Sequence, residues 1–114
     1  MKELIAVGTK DGTIVNEDHF GQSKIFVIFR KNESGFKEVE KRPNPYFGKH
    51  QHAKAEEILK VLGDCNVWIA KSMGKKSIET LKALNYETFL TVKDTAEDAI
   101  KDYLEIKKGS GSLH

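Results

Sequence analysis

The feature that most constrains the fold is a change in hydrophobic pattern near residue 50. Before it, three short segments over residues 4–7, 23–30 and 36–41 carry apolar, β-branched and aromatic residues and are separated by turn-forming residues. This pattern is typical of strands joined by short turns, which pair antiparallel. After it, helical periodicity alternates with short apolar runs, which is typical of strands that pair in parallel through helical crossovers.

The second half of the chain predicts three helices and two further strands. The helices are expected from about residue 51 to Gly63, over residues 77–84 and after Asp94, and the strands over residues 66–70 and 86–91. Glu97 lies three residues after Asp94, which is typical of a capping box. We therefore expect an α/β fold with a mixed five-stranded sheet, in which three antiparallel strands precede βαβα units, and with flanking helices. Residues 14–15 predict a short strand or an irregular return.

Composition limits the classes of protein to which the chain can belong. Its 114 residues, 39% hydrophobic and 32% charged, are typical of one globular domain. Charges of both signs are interspersed and sum to +2, which argues against nucleic-acid binding, and no apolar run is long enough to span a membrane. We expect a cytoplasmic domain over residues 1–108, with the Gly- and Ser-rich residues 109–114 as a flexible tail.

The one cysteine and three of the histidines are the candidates for soft-metal chemistry. Cys65 has no partner cysteine, so an internal disulfide and a CxxC metal site are excluded, and an inert thiol is expected. His50 and His52 are two residues apart, so an extended segment places both imidazoles on one side, roughly 6–7 Å apart at their α-carbons. Imidazole suits zinc, copper, iron and nickel. His19 precedes Phe20 and Gly21 in another irregular segment. The alternative for all three is an exposed loop histidine.

The residues that follow the strand over 66–70 predict an anion site. Backbone N–H groups at the start of the next helix attract anions, and Gly74 permits close approach. Lys75 and Lys76 add positive charge, and Lys71 is expected to add to it. Neither a P-loop nor a GxGxxG motif is present, so nucleotide binding is not supported. The alternative is an ordinary turn with solvated lysines, in which Met73 is a plain hydrophobic residue.

Three antiparallel strands followed by alternating helices and strands is also the arrangement of ribonuclease H-like proteins. A nuclease of that kind needs several carboxylates around divalent metal ions. Asp11 follows the first strand and Glu56 or Glu57 lies in the first helix, but residues 71–73 offer no carboxylate. We therefore expect no two-metal nuclease activity.

Taken together, the motifs resemble those of the dinitrogenase iron–molybdenum cofactor biosynthesis family, which includes NifX-type carriers and the C-terminal part of NifB-type proteins. The resemblance covers about residues 3–105. It depends on the order of five elements: Ile5-Ala6-Val7, His19-Phe20-Gly21, His50-Gln51-His52, the Met73-Gly74 turn, and residues 91–99 before the last helix. Gln51 and Ala53 stand where the family often has glycines, and Lys71-Ser72-Met73-Gly74-Lys75 replaces its frequent Gly-Gly-Ile-Gly-Pro turn.

The resemblance implies a ribonuclease H-like fold and a non-enzymatic function. It implies that the protein binds or carries an anionic metal–sulfur cluster, an iron–sulfur or iron–molybdenum cofactor precursor, with cofactor-assembly proteins as partners. His19, His50 and His52 match the residues that would ligate the metal. The other residues expected to contact the cluster are Phe20, Gly21, Lys71, Met73, Gly74 and Lys75. The alternative is a metal-free regulatory or protein-interaction module on the same fold.

Overall fold

The fold is organised around a mixed five-stranded sheet. The structure, a computed structural model, describes residues 3–33, 35–48 and 55–112. The strands are β1 (Leu4–Thr9), β2 (Ile25–Asn32), β3 (Gly35–Pro43), β4 (Val67–Ala70) and β5 (Glu87–Leu90), in the spatial order β3-β2-β1-β4-β5. The first three strands pair antiparallel, whereas β4 pairs parallel to both β1 and β5. The predicted α/β class and mixed five-stranded sheet are confirmed.

Helices cover both faces of this sheet. Within the described residues they are α1 (Ala55–Leu62), α2 (Lys75–Ala83) and α3 (Ala96–Ser112). Because successive strand residues point to opposite faces, Ala6, Phe26 and Trp68 pack with α1 and α2, whereas Ile5, Val7 and Val27 pack with α3. Both faces are therefore buried at the central strands β1 and β4, as their continuous apolar sequence requires, whereas the edge strand β3 is largely exposed.

Local geometry differs from the sequence prediction at the start of α3. The hydroxyl Oγ1 of Thr95 accepts a hydrogen bond of 3.1 Å from the backbone N–H of Asp98, which places the cap at Thr95. The carboxylate of Asp94 instead pairs with the ammonium of Lys71 at 2.7 Å. The prediction of a capping box at Asp94 is therefore wrong by one residue.

Two further elements refine the predicted boundaries. Ile14 and Val15 form isolated bridges to Thr95 and Thr9, so this segment is an irregular return rather than a strand. The backbone of α3 runs to Ser112, beyond the domain boundary expected at residue 108, and that boundary stays a prediction. No helix in the described ranges combines the length and the apolar character that a membrane crossing needs.

Candidate functional site

A cavity of about 440 Å³ lies at the carboxyl end of β4, between α1 and α2. Its volume falls in the range of small-molecule binding sites, roughly 300–1,000 Å³. Trp68, Met73 and Leu81 contribute apolar surface, and a 3₁₀ turn (Phe20–Gln22) closes one side through Phe20. In α/β sheets, ligands bind beyond the carboxyl ends of the parallel strands, and this cavity occupies that position.

Stacked aromatic rings form the base of the cavity. The ring centroid of Phe20 lies 5.0 Å from that of Phe26 and 5.3 Å from that of Trp68, with both pairs near parallel. The indole N–H of Trp68 donates to the carbonyl oxygen of Cys65 at 3.1 Å, so this buried polar group is satisfied. Because Phe20 and Trp68 are both at least 98% buried, they form a fixed apolar wall directly beside His19.

His19 is positioned by contacts to its ring and to its backbone. Its Nδ1 lies 2.8 Å from Oγ of Ser72, and its carbonyl oxygen accepts a hydrogen bond of 3.1 Å from the side-chain amide of Asn16. The next residue, Phe20, donates its N–H to the carbonyl oxygen of Ser72 at 3.0 Å. His19 therefore lines the cavity at a place defined by the end of β4.

A buried asparagine fixes the other end of the same turn. Nδ2 of Asn44 donates to the carbonyl oxygens of Gly21 at 3.0 Å and Ser23 at 2.7 Å, and its Oδ1 accepts from the backbone N–H of Tyr46 at 2.9 Å. Asn44 is 6% exposed. Because it bonds backbone groups on both sides, Asn44 ties the turn to the chain that follows β3.

The N-terminus of α2 contributes positive electrostatic potential to the cavity. The N-cap residue Gly74 makes no side-chain hydrogen bond to the helix, and the first turn carries no acidic residue. Lys76 and Ser77, from that first turn, line the cavity, and Glu56 of α1 adds a carboxylate to the lining. Aligned peptide dipoles favour an anion at such a helix end.

The structure brings five of the predicted site residues together and separates others. His19, Phe20, Gly21, Met73 and Gly74 all line the cavity.

The predicted lysines are arranged differently. The ammonium of Lys71 lies 2.7 Å from the carboxylate of Asp94, which lowers the pKa of that carboxyl group. Neither Lys71 nor Lys75 is part of the described lining, whereas Lys76 is. Of the lysines expected to add charge here, Lys76 is therefore the one in the described lining.

His50 and His52 lie outside the described residues, within residues 49–54. Ala55, the first described residue after them, lines the cavity. Their assignment as metal ligands stays a prediction.

Sequence reasoning missed Ser72 and Asn44 as the residues that position the His19 turn. A signal for Ser72 existed, because it lies two residues after the end of β4, where polar side chains of a parallel sheet converge. No comparable signal marks Asn44, whose partners Gly21 and Ser23 are about twenty positions away in the chain.

The described residues contain no preformed metal centre. Within residues 3–33, 35–48 and 55–112, no group of three or more His, Cys, Asp and Glu side chains could hold a metal ion. Cys65 is fully buried, and burial raises the pKa of its thiol to about 12, as expected for an inert cysteine. The carboxylate of Asp11 accepts hydrogen bonds from the N–H groups of Thr13 and Ile14, both at 2.8 Å, which lowers its pKa and gives it a role in a turn.

Comparison with known families and structures agrees with the arrangement of these elements. Residues 1–106 match the family described as dinitrogenase iron–molybdenum cofactor. The chain belongs to this family. The resemblance drawn from the sequence motifs is therefore confirmed. No curated protein matches the chain significantly.

Three solved structures share the fold at low sequence identity. The crystal structure of PH0822 is 22% identical, with a TM-score of 0.71 and coverage of 90% of each chain. A Thermotoga protein proposed to be NifB, solved by NMR, is 20% identical, with a TM-score of 0.67 and coverage of 90% of this chain and 88% of that one. A proposed dinitrogenase from Methanocaldococcus jannaschii is 15% identical, with a TM-score of 0.63 and coverage of 92% and 90%. At these identities the similarity establishes the fold alone.

Proposed function

We propose that this protein binds an anionic metal–sulfur cluster in the cavity and carries it between cofactor-assembly proteins, without catalysing a reaction. The cargo would be an iron–sulfur cluster or an iron–molybdenum cofactor precursor. The observation that carries this proposal is His19, held by Ser72 in the lining of a cavity next to the N-terminus of α2. Membership of the dinitrogenase iron–molybdenum cofactor family supports the identity of the cargo.

We further propose that the fold is ribonuclease H-like. The strand order β3-β2-β1-β4-β5, with three antiparallel strands before the βαβα units, supports this assignment.

The single, buried Cys65 is consistent with a cytoplasmic protein, because disulfides are rare in that compartment.

The chemistry of the lining suits a cargo that must be released. Permanent iron–sulfur clusters are usually held by several cysteine thiolates. Here the described cavity offers the imidazole of His19 and the thioether of Met73, and the only cysteine is buried in the core. His50 and His52 would add two further imidazoles. A few nitrogen bonds would hold a cluster less firmly than four thiolates and would permit transfer.

The charge of the site favours an anion. Lys76 and the uncapped N-terminus of α2 are positive, whereas Glu56 is negative. Lys71 contributes little because Asp94 neutralises it. Since the charges of Lys76 and Glu56 offset each other, the N-terminus of α2 is the feature that favours an anionic cluster, and the apolar wall of Phe20 and Trp68 excludes water from one of its sides.

A metal-free interaction module is the alternative, and one observation favours it. The part of the chain that the structure describes contains no group of three metal-ligating side chains. In that case His19 would serve only to hold the turn over β4, and cofactor-assembly proteins would contact the protein surface.

Anaerobic loading distinguishes the two functions. The protein would be incubated with preformed iron–sulfur and molybdenum–iron–sulfur clusters, desalted, and analysed for bound metal and for its visible spectrum. We expect stoichiometric metal on the parent protein and none on the folded His19→Ala/His50→Ala/His52→Ala variant. His114→Ala is the matched control, because it removes the fourth histidine, which lies in the predicted tail. Failure of the parent to retain any cluster would favour the interaction module.

A further inference from the structure

Two helices bring opposite charges to the cavity. Glu56 lies in the first turn of α1, and Lys76 lies in the first turn of α2. Among the described residues of the lining, Glu56 is the only carboxylate and Lys76 the only ammonium. Neither side chain pairs with another described residue, in contrast to Lys71 and Asp94, so an occupant of the cavity meets both charges.

The charge of the described lining is close to neutral because of Glu56. Its carboxylate offsets the ammonium of Lys76, and the N-terminus of α2 adds roughly half a positive elementary charge. Without Glu56 the lining would carry about one and a half positive charges. We propose that Glu56 is a specificity-determining residue that limits the cavity to clusters of low negative charge and permits their release, an inference that rests on the proposed function.

Helix stability alone does not require an acidic residue at the cavity. An acidic residue in the first turn of a helix interacts favourably with the helix dipole wherever its side chain points. Glu57 belongs to the same turn of α1 but is not part of the described lining. Both residues can therefore stabilise the helix, whereas only Glu56 acts on an occupant from the cavity wall, and the two provide a matched comparison.

The effect of Glu56 should scale with the charge of the occupant. At roughly 8 Å in bulk water, removal of one unit charge changes the affinity for a monoanion by about 2-fold, and a lower dielectric constant increases this factor. Because the Coulomb energy is proportional to the charge of the occupant, a dianion of the same shape should change by the square of that factor. A change in packing would instead alter both affinities equally.

The first test uses two tetrahedral metal–sulfur anions of different charge, the monoanion tetrathioperrhenate and the dianion tetrathiomolybdate. Isothermal titration calorimetry at about 10 mM salt, where screening is weak, measures their affinities for the cluster-free protein. We expect Glu56→Gln to bind the monoanion at least about 2-fold and the dianion at least about 4-fold more tightly than the parent. At about 1 M salt both gains should shrink.

Glu57→Gln is the matched control, and its gains should be smaller because Glu57 lies outside the described lining. Glu56→Lys changes two unit charges and should square both gains of Glu56→Gln. Equal gains for the two anions would overturn the inference, because they would show that charge is not the cause. Gains as large in Glu57→Gln, or no binding of either anion by Glu56→Gln, would overturn it too.

The second test separates this inference from the proposed function. The parent and Glu56→Gln would be loaded anaerobically with a [4Fe–4S] cluster, and its release to an iron chelator would be followed by visible absorbance. We expect release from Glu56→Gln to be at least about 2-fold slower. Equal release rates would overturn the role of Glu56 and leave the cluster carrier intact. Retention by neither protein, together with the expected gains for the two anions, would overturn the carrier and support Glu56 as the residue that limits the charge.

Discussion

Replacing Phe20 by alanine tests whether the aromatic wall is a rigid part of the fold. Phe20 is 2% exposed, and its ring stacks on Phe26 at 5.0 Å and on Trp68 at 5.3 Å. Truncation of a buried phenylalanine costs about 3–5 kcal/mol, of which two aromatic pairs account for roughly 1–3 kcal/mol. Because Phe20 borders an open cavity, water can enter the space it leaves. We therefore expect a loss near the lower end, about 3 kcal/mol.

Urea unfolding followed by the fluorescence of Trp68, the only tryptophan, measures this loss directly. Phe20→Leu retains most of the apolar volume and should cost less than Phe20→Ala. Phe47→Ala is the matched control, because Phe47 is 50% exposed and has Lys24 over its ring at 5.9 Å. Its loss should stay within about 1 kcal/mol. A Phe20→Ala variant as stable as Phe47→Ala would refute the packing argument.

Arg42→Met removes hydrogen bonds of 2.7 and 2.8 Å to Asp64 and should lower the free energy of unfolding by about 1–2 kcal/mol at pH 7. Because Arg42 lowers the pKa of Asp64 below its usual 3.8, the stabilisation from this pair is lost as the pH falls through the lowered pKa. The difference between the urea curves of parent and variant should therefore shrink well below pH 4, leaving the contribution of the hydrogen bond that Arg42 donates to the carbonyl oxygen of Val61 at 2.8 Å. Cys65 should resist thiol reagents at pH 8 until urea unfolds the chain. Because burial raises the pKa of its thiol to about 12 in the folded protein, the free energy of unfolding should decline as the pH rises above 9, where the thiol of the unfolded chain ionises. Gly8→Ala should lower the free energy of unfolding by about 1–3 kcal/mol, because the added Cβ would collide with the buried Oγ of Ser23. In a double-mutant cycle, Ser23→Ala should recover part of that loss. Additive effects of the two substitutions would contradict this contact.

Most of the fold was predictable because its elements are encoded locally. The apolar runs of β1 and β4 are short and bounded by turn residues, and the apolar stripe of α1 ends at Gly63. The boundaries were less predictable. Thr95, rather than Asp94, caps α3 because Asp94 is drawn to Lys71, a partner 23 positions away that no local pattern reveals.

The candidate site was predictable only in part, for the same reason. His19 and Gly74 were predicted from the sequence because each lies in a recognisable motif. The structure places both in the lining of the cavity. Trp68 was identified as a strand residue but not as part of a cavity, since a buried strand residue gives no local sign of what its ring borders. Lys71 was expected at the site because it directly follows β4, and only the three-dimensional structure shows its pairing with Asp94.

The most direct test of the account asks whether His19 binds the cluster through nitrogen. A [4Fe–4S] cluster would be loaded anaerobically onto a His50→Ala/His52→Ala variant, reduced, and examined by pulsed electron paramagnetic resonance for nitrogen hyperfine coupling. We expect a hyperfine coupling from one imidazole nitrogen. Adding His19→Ala to this variant should abolish the coupling, whereas adding Ser77→Ala, which also changes the cavity lining, should leave it unchanged. A loaded cluster without that coupling, or one whose coupling survives His19→Ala, would contradict the assignment of His19 as the ligand.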